Sequence, residues 1–271
     1  MKVFTILFGT AAVLYLLMTA ALFFTQRSLL YYPSHSYVPL SEANVSRAFQ
    51  EISVKTADGI DLKAWYAPAT SKPYTIVFFH GNADSLHTAA QVADPYIVAG
   101  YGFLVTEYRG YSGLAGEPTE TGLYADGRAY IDELTRRGID PGQIILMGHS
   151  LGTGVAVEMA QENRVGCVML LAPYVSMPKV AQAHFSIFPV GILVRDRFDN
   201  AKKIGNIHTP VLMVNGANDD VVPPAQGREL YDLANEPKEL HTLPNRGHND
   251  LFDDFAPLSL DWIGRACAGK G

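Results

Sequence analysis

The residues best placed to do chemistry lie in the pentapeptide 148–152, which reads Gly-His-Ser-Leu-Gly. It follows the apolar run 143–147, a predicted strand, and it opens a predicted helix over 151–163. A G-x-S-x-G pattern at a strand-to-helix turn holds its serine in a strained backbone conformation, with the hydroxyl above the sheet. Ser150 is therefore the predicted nucleophile, and His149 beside it is interpreted as a packing residue.

A serine hydroxyl needs a base to remove its proton, and the base needs a carboxylate to orient it. On a strand–turn–helix scaffold of this kind the three groups follow one another as serine, acid and histidine. That order favours His248 as the base, because it lies in the loop after the last predicted strand. The acid is Asp219 or Asp220, which share the loop after another predicted strand, and spacing alone leaves both open.

Acyl transfer also requires two backbone N–H groups aimed at the developing oxyanion. Leu151 supplies one, since it directly follows the nucleophile. The segment 79–83, Phe-His-Gly-Asn-Ala, follows the first buried strand, and Asn82 is the candidate for the second donor. The alternative is that His80 and Gly81 form only a turn.

These residues need a sheet to hold them at one edge. Two alternating segments, 51–55 and 62–66, predict an antiparallel hairpin, and strands then alternate with helices, which predicts an α/β fold with a mostly parallel, twisted sheet covered by helices on both faces. Ligand sites in such sheets lie at the carboxyl ends of the strands. The predicted strands after the hairpin are 75–79, 103–106, 143–147, 166–171, 211–215 and 239–243, and the predicted helices are 120–137, 151–163, 226–234 and 251–268.

Composition excludes other classes of protein. The 271 residues carry a net charge of −6 with no basic stripe, which argues against a nucleic-acid partner. Histidines, cysteines and acids show no metal-ligand spacing and no phosphate-binding glycine loop is present, so no metal and no cofactor is expected. The two cysteines, Cys167 in an apolar run and Cys267 near the C-terminus, are expected to be free thiols.

The N-terminal segment predicts a membrane anchor. Residues 3–25 contain no charged side chain and, as a helix, are long enough to cross the ~30 Å hydrocarbon core. A cleaved signal peptide is the alternative, although the run is longer than an ordinary signal-peptide core and lacks a clean cleavage site. The expected organisation is an anchor over 1–27, a connector over 28–50 and a catalytic domain over 51–271, which we expect on the non-cytoplasmic side.

At these residues the chain resembles the α/β-hydrolase superfamily. More narrowly it is similar to membrane-anchored α/β-hydrolase-domain proteins, a group that includes acyl-protein thioesterases acting as depalmitoylases. The resemblance rests on the anchor, on the nucleophile elbow at 148–152 and on five further motifs, and the match of Gly-x-x-Asp-x-Val-Val-Pro implies that Asp219 is the triad acid. Two departures are Asn215, where the family usually has histidine, and Asp84, which replaces a common glycine. The motifs are 29–33 (Leu-Leu-Tyr-Tyr-Pro), 78–83 (Phe-Phe-His-Gly-Asn-Ala), 108–112 (Tyr-Arg-Gly-Tyr-Ser), 221–224 (Val-Val-Pro-Pro) and 247–249 (Gly-His-Asn).

The predicted function is hydrolysis of carboxylic esters or thioesters of acyl substrates. Only about forty residues separate Ala172 from Val211, so the lid (about 174–208) is short and a large cap domain is excluded. Its apolar residues either line an acyl groove or form the core of the lid. The alternatives are a serine peptidase or amidase on the same triad and a non-catalytic, membrane-tethered binding module.

Overall fold

The chain folds around one eight-stranded sheet in a computed structural model that describes residues 1–267. The strands lie in the order β1-β2-β4-β3-β5-β6-β7-β8. β1 pairs antiparallel with β2 and β2 antiparallel with β4, and all later pairings are parallel. The predicted hairpin and parallel sheet are both confirmed. The strands are β1 (Gln50–Lys55), β2 (Asp61–Ala67), β3 (Thr75–Phe79), β4 (Gly102–Thr106), β5 (Ile144–His149), β6 (Cys167–Leu171), β7 (Val211–Gly216) and β8 (Lys238–Leu243).

Helices cover both faces of the sheet, as predicted. Every side chain of β3 is buried, and alternate residues face opposite sides: Val77 packs into one core cluster and Phe78 into the other. Helices α4, α5 and α8 cover the first cluster, and α2, α3 and α9 cover the second. The helices are α1 (Lys2–Leu30), α2 (Leu86–Ala89), α3 (Asp94–Val98), α4 (Glu120–Arg136), α5 (Leu151–Glu162), α6 (Met177–His184), α7 (Val190–Leu193), α8 (Pro224–Leu233) and α9 (Phe252–Ala266).

The expectation of two free thiols was wrong, because Cys167 and Cys267 form a disulfide. Helix α9 packs across the sheet face onto which Cys167 points, and this brings the two Cα atoms to 5.8 Å, within the range that a disulfide spans. The two residues are 100 positions apart, so their proximity depends on the tertiary packing of α9. The bridge therefore ties the C-terminal end of that helix to the start of β6.

Helix α1 is long and apolar enough to cross a membrane by length and composition. Its 29 residues extend about 43 Å. Residues 1–18 are exposed, whereas half-buried positions recur at 19, 22, 23, 26, 27 and 30. This spacing of three and four residues places one face of the last turns of α1 against the rest of the protein. Tyr31, directly after the helix, is fully buried in the core.

Candidate active site

Ser150 occupies the sharp turn between β5 and α5. Its φ of 50° and ψ of −118° lie outside the regions that ordinary residues adopt, as expected for a nucleophile held above a sheet. The flanking glycines are required by close packing: a Cβ on Gly152 would lie 2.0 Å from the carbonyl oxygen of Phe79. A Cβ on Gly148 would lie 2.6 Å from the carbonyl oxygen of Gly152. The strained turn is therefore fixed by the neighbouring strand and by its own helix.

The structure brings His248 against Ser150. The Nε2 atom of His248 lies 2.8 Å from Oγ of Ser150, and its Nδ1 lies 2.8 Å from Oδ2 of Asp219. In the neutral tautomer that fits both contacts, Nδ1–H donates to the carboxylate and Nε2 accepts from the serine hydroxyl. All three residues are buried. This is the geometry in which a histidine can remove a proton from serine while a carboxylate orients its ring.

Asp219, and not Asp220, is the acid that reaches His248. The second carboxylate oxygen of Asp219, Oδ1, accepts hydrogen bonds from the backbone N–H groups of Val221 at 2.9 Å and Val222 at 2.8 Å. These two donors fix the carboxylate so that Oδ2 faces the imidazole. The neighbouring Asp220 is exposed to solvent. The turn over residues 219–222 therefore places the carboxylate of Asp219, and not that of Asp220, against His248.

Two backbone N–H groups beside Ser150 belong to the residues predicted to hold an oxyanion, Leu151 and Asn82. Leu151 is the first residue of α5, and Asn82 follows β3; both residues line the cavity next to Ser150. Within residues 1–267, neither N–H donates to a protein acceptor. The side chain of Asn82 fixes the loop in which it lies. Its Oδ1 accepts hydrogen bonds from the backbone N–H of Tyr32 at 2.7 Å and from the hydroxyl of Tyr111 at 3.3 Å.

A buried ion pair behind this loop was missed by sequence reasoning. Nε2 of His80 lies 2.8 Å from Oε1 of Glu107, which also accepts from the backbone N–H of Tyr108. Burial opposes the charged forms, but the mutual attraction and hydrogen bonds outweigh it, raising the pKa of His80 and lowering that of Glu107. The hydroxyl of Tyr108 donates to the carbonyl oxygen of His80 at 3.0 Å. Glu107 directly precedes the motif 108–112, and the family resemblance of that motif is the only sequence signal that marks this region.

His149 packs behind the site, as expected. Its Nε2 lies 3.1 Å from the carbonyl oxygen of His248, and its ring centroid lies 4.9 Å from that of Phe252. Burial, and then the charge of His248, lower the pKa of His149 to about 4. His149 is therefore neutral near pH 7 and supports the loop that carries His248.

A cavity of about 900 Å³ opens beside Ser150. Its walls are mostly apolar and come from four parts of the chain: the loops around Ser150, the segment 88–92, the lid, and the last turns of α1. Among residues 1–267, no cluster of His, Cys, Asp or Glu side chains could hold a metal ion. The lid contributes Met177, Val180, Ala181, Phe185, Phe188, Val190, Leu193 and Val194, and α1 contributes Leu22, Phe23, Gln26, Leu29 and Leu30.

Comparison with known families gives the same fold. A family model described as the alpha/beta hydrolase fold matches residues 74–192. The chain is 36% identical to an uncharacterized protein of Mycobacterium tuberculosis, over 83% of this chain and 81% of that protein. It is also 32% identical to a putative alpha/beta hydrolase of Acanthamoeba polyphaga mimivirus, over 82% of this chain and 84% of that protein.

Two further similarities are to a human hydrolase-domain protein and to a solved esterase structure. The chain is 35% identical to human alpha/beta hydrolase domain-containing protein 17B over 66% of this chain, and the match spans 61% of that relative. Among solved structures, an esterase of Pyrococcus furiosus superposes with a TM-score of 0.69 at 17% identity, over 88% of this chain and 99% of that one. At that identity the superposition shows a common fold.

Proposed function

This chain belongs to the α/β-hydrolase family, and we propose that it is a membrane-anchored serine hydrolase that cleaves carboxylic esters or thioesters of acyl substrates. The observation that carries the proposal is the continuous contact from Asp219 through His248 to Ser150, with both distances 2.8 Å. The esterase likeness and the similarity to protein 17B support a hydrolase. In this proposal Ser150, His248 and Asp219 are the catalytic residues.

The proposed reaction proceeds through an acyl-enzyme. Oγ of Ser150 attacks the acyl carbonyl carbon while its proton passes to Nε2 of His248, and Asp219 stabilises the resulting imidazolium. The carbonyl oxygen becomes an oxyanion held by the backbone N–H groups of Leu151 and Asn82. When the tetrahedral intermediate collapses, the imidazolium gives its proton to the leaving alcohol or thiol. Water, deprotonated by the same histidine, then attacks the acyl-enzyme and releases the carboxylic acid and free Ser150.

The apolar cavity supports an acyl substrate. Its volume of about 900 Å³ and its walls from the lid suit a hydrocarbon chain better than a peptide, whose backbone would need polar partners. Each methylene buried contributes about 0.8 kcal/mol, which corresponds to about a fourfold gain in kcat/KM while the groove continues.

The experiment is hydrolysis of p-nitrophenyl esters from acetyl to palmitoyl by the purified full-length protein, with Ser150→Ala as the blank. We expect kcat/KM to rise with chain length and the variant to be inactive. Equal hydrolysis of acetyl and longer esters would contradict an acyl groove. Faster cleavage of aminoacyl-arylamides than of any ester would indicate the peptidase alternative.

We also propose that α1 is an uncleaved anchor and that the catalytic domain lies on the non-cytoplasmic side. The disulfide between Cys167 and Cys267 supports this placement, because disulfides persist in oxidising compartments and are rare in the reducing cytosol. Thiol trapping on rapidly acid-quenched cells tests the proposal. We expect two maleimide tags to attach only after reduction, whereas two tags without reduction would contradict an oxidising location.

A further inference from the structure

We propose that the tip of the lid, residues 185–194, inserts into the acyl layer of the membrane beside α1, so that an acyl chain reaches Ser150 from within the bilayer. This inference rests on the proposed function. The proposed function names the bond that is cleaved, and the inference adds that the substrate comes from the bilayer. The partner of the lid tip is the hydrocarbon of a lipid bilayer.

The lid tip is attached to α1 over a long stretch of that helix. The hydroxyl of Tyr15 donates to the carbonyl oxygen of Ile187 at 2.9 Å, and its ring stacks on that of Phe188 with centroids 5.4 Å apart. Three turns further along, the side chain of Gln26 donates to the carbonyl oxygen of Leu193 at 3.2 Å. The lid tip therefore runs alongside the helix and does not merely touch its end.

An ion pair lies at the end of the apolar part of α1, just beyond the contact between the helix and the lid tip. Nε of Arg27 lies 2.8 Å from a carboxylate oxygen of Asp196, which is itself buried. Arg27 is the first charged residue after Lys2, and the residues between them carry no charge. Arg27 is therefore expected near the membrane surface, where a guanidinium can remain hydrated.

The position of Tyr15 sets the depth of the lid tip. Tyr15 lies twelve residues before Arg27, or about 18 Å along the helix, and about 17 Å along the membrane normal at a tilt of about 20°. Half of the hydrocarbon core is about 15 Å thick. A helix that spans the bilayer thus places Tyr15 near the middle of the core, and Ile187 and Phe188, which contact it, lie within the hydrocarbon.

The composition of the lid tip suits that depth. From Phe185 to Val194 there is no charged residue; the nearest titratable side chains are His184 on one side and Arg195 on the other. Two large apolar side chains face outward, with Ile187 70% and Ile192 87% exposed. Such side chains are unfavourable in water and favourable in lipid.

The backbone of the lid tip is largely satisfied without water, as hydrocarbon requires. The N–H of Ile192 and of Leu193 both donate to the carbonyl oxygen of Pro189, and the N–H of Val194 donates to Val190. The carbonyl oxygen of Gly191 accepts from the guanidinium of Arg197 at 2.8 Å. With the carbonyls of Ile187 and Leu193 capped by α1, the segment has a hydrogen-bonding pattern compatible with lipid.

The same region opens onto the nucleophile. Leu22, Phe23 and Leu29 of α1 line the cavity that also contains Ser150. An acyl chain lying beside α1 in one leaflet would enter between that helix and the lid, with its ester or thioester carbonyl reaching Ser150. The head group would then stay toward the water.

The first test compares two matched variants, Ile187→Asp and Val98→Asp, in full-length protein reconstituted in phosphatidylcholine vesicles. Ile187 contacts Tyr15, is 70% exposed and does not line the cavity; Val98, 88% exposed, is the last residue of α3, outside the lid. The substrates are 4-methylumbelliferyl oleate dissolved in the vesicles and 4-methylumbelliferyl butyrate in the water. We expect Ile187→Asp to slow oleate hydrolysis at least about tenfold, because a carboxylate is costly in hydrocarbon. Butyrate hydrolysis should be unchanged, and Val98→Asp should alter neither rate.

The second test measures depth without activity. The native tryptophans, Trp65 and Trp262, are buried in the protein, so an introduced tryptophan can be read against them. With the matched variants Ile187→Trp and Val98→Trp, vesicles made of phosphatidylcholine brominated on its acyl chains should quench the tryptophan fluorescence of the first variant only.

Failure of the inference is distinguishable from failure of the proposed function. Unchanged oleate hydrolysis by Ile187→Asp, an equal loss on both substrates, or absence of quenching at position 187 would overturn the inserted lid while butyrate hydrolysis by Ser150 still stood. Full butyrate hydrolysis by Ser150→Ala would instead overturn the hydrolase mechanism, whatever the depth of the lid.

Discussion

Replacing Asp219 by Asn tests the catalytic site through a single atom. In the wild-type protein Oδ1 of Asp219 accepts from the N–H groups of Val221 and Val222, so only Oδ2 is available to His248. An asparagine must keep its one oxygen on those two donors, and its NH2 group then faces Nδ1 of His248. The imidazole is forced into the tautomer with its proton on Nε2, which cannot accept a proton from Ser150.

The expected effect is a fall in kcat of about 10⁴-fold, or about 5 kcal/mol of transition-state stabilisation, the size seen when a triad histidine is held in the wrong tautomer. KM should change little, because Asp219 is not expected to contact the acyl group. The assay is hydrolysis of p-nitrophenyl butyrate, with thermal unfolding measured on each variant to establish that it is folded.

Asp220→Asn is the matched control, since it makes the same chemical change one residue away on an exposed carboxylate. We expect its kcat to stay within about twofold of wild type, as for most surface substitutions. A large loss in Asp220→Asn, or a folded Asp219→Asn protein with near wild-type kcat, would refute the assignment of the acid and the tautomer reasoning with it.

Three further perturbations address stability. Glu107→Gln leaves the buried His80 without its charged partner, so we expect a loss of about 3–5 kcal/mol and a Tm lower by roughly 10 °C in calorimetry; an unchanged Tm would contradict a stabilising pair. Cys267→Ser removes the disulfide to Cys167 and should lower the free energy of unfolding in urea by about 2–4 kcal/mol at unchanged kcat. A variant as stable as the wild-type protein would mean that the disulfide does not constrain the unfolded chain. The pKa of His149 falls from 6.5 to about 4 on folding, so between those pH values the unfolded chain binds more protons than the folded one. The contribution of His149 to the free energy of unfolding should therefore be fully present above pH 6.5 and fall by about 3 kcal/mol as the pH drops to 4. His149→Gln, which keeps an N–H for the carbonyl of His248, should flatten that decline, and an equally steep decline in the variant would assign the effect to other groups.

The parts of the fold that could be predicted from the sequence are those with strong local patterns. The largely apolar segments of β3 and β5 predicted the centre of the sheet, and the G-x-S-x-G turn predicted a candidate nucleophile, without any tertiary information. Chain order then led to His248. Choosing Asp219 over Asp220 required either family resemblance or the turn that aims the backbone N–H groups of Val221 and Val222.

The features that sequence reasoning missed depend on contacts between distant segments. Cys167 meets Cys267 only because α9 crosses the sheet, and Tyr15 meets Ile187 across 172 positions of the chain. His80 follows a strand, and its neighbours in the sequence do not indicate whether it is a turn residue or a member of a buried ion pair. Periodicity and turn chemistry are local properties, so these pairings could be seen only once the sheet and helices were in place.

The most direct test of the proposed mechanism is reaction of the folded, full-length protein with a fluorophosphonate, followed by mass spectrometry of its peptides. The proposed mechanism predicts one covalent adduct, on Ser150, with labelling abolished in Ser150→Ala and slowed by orders of magnitude in Asp219→Asn. Ester hydrolysis that persists in Ser150→Ala, or an adduct on another residue, would contradict the central claim that this serine is the nucleophile.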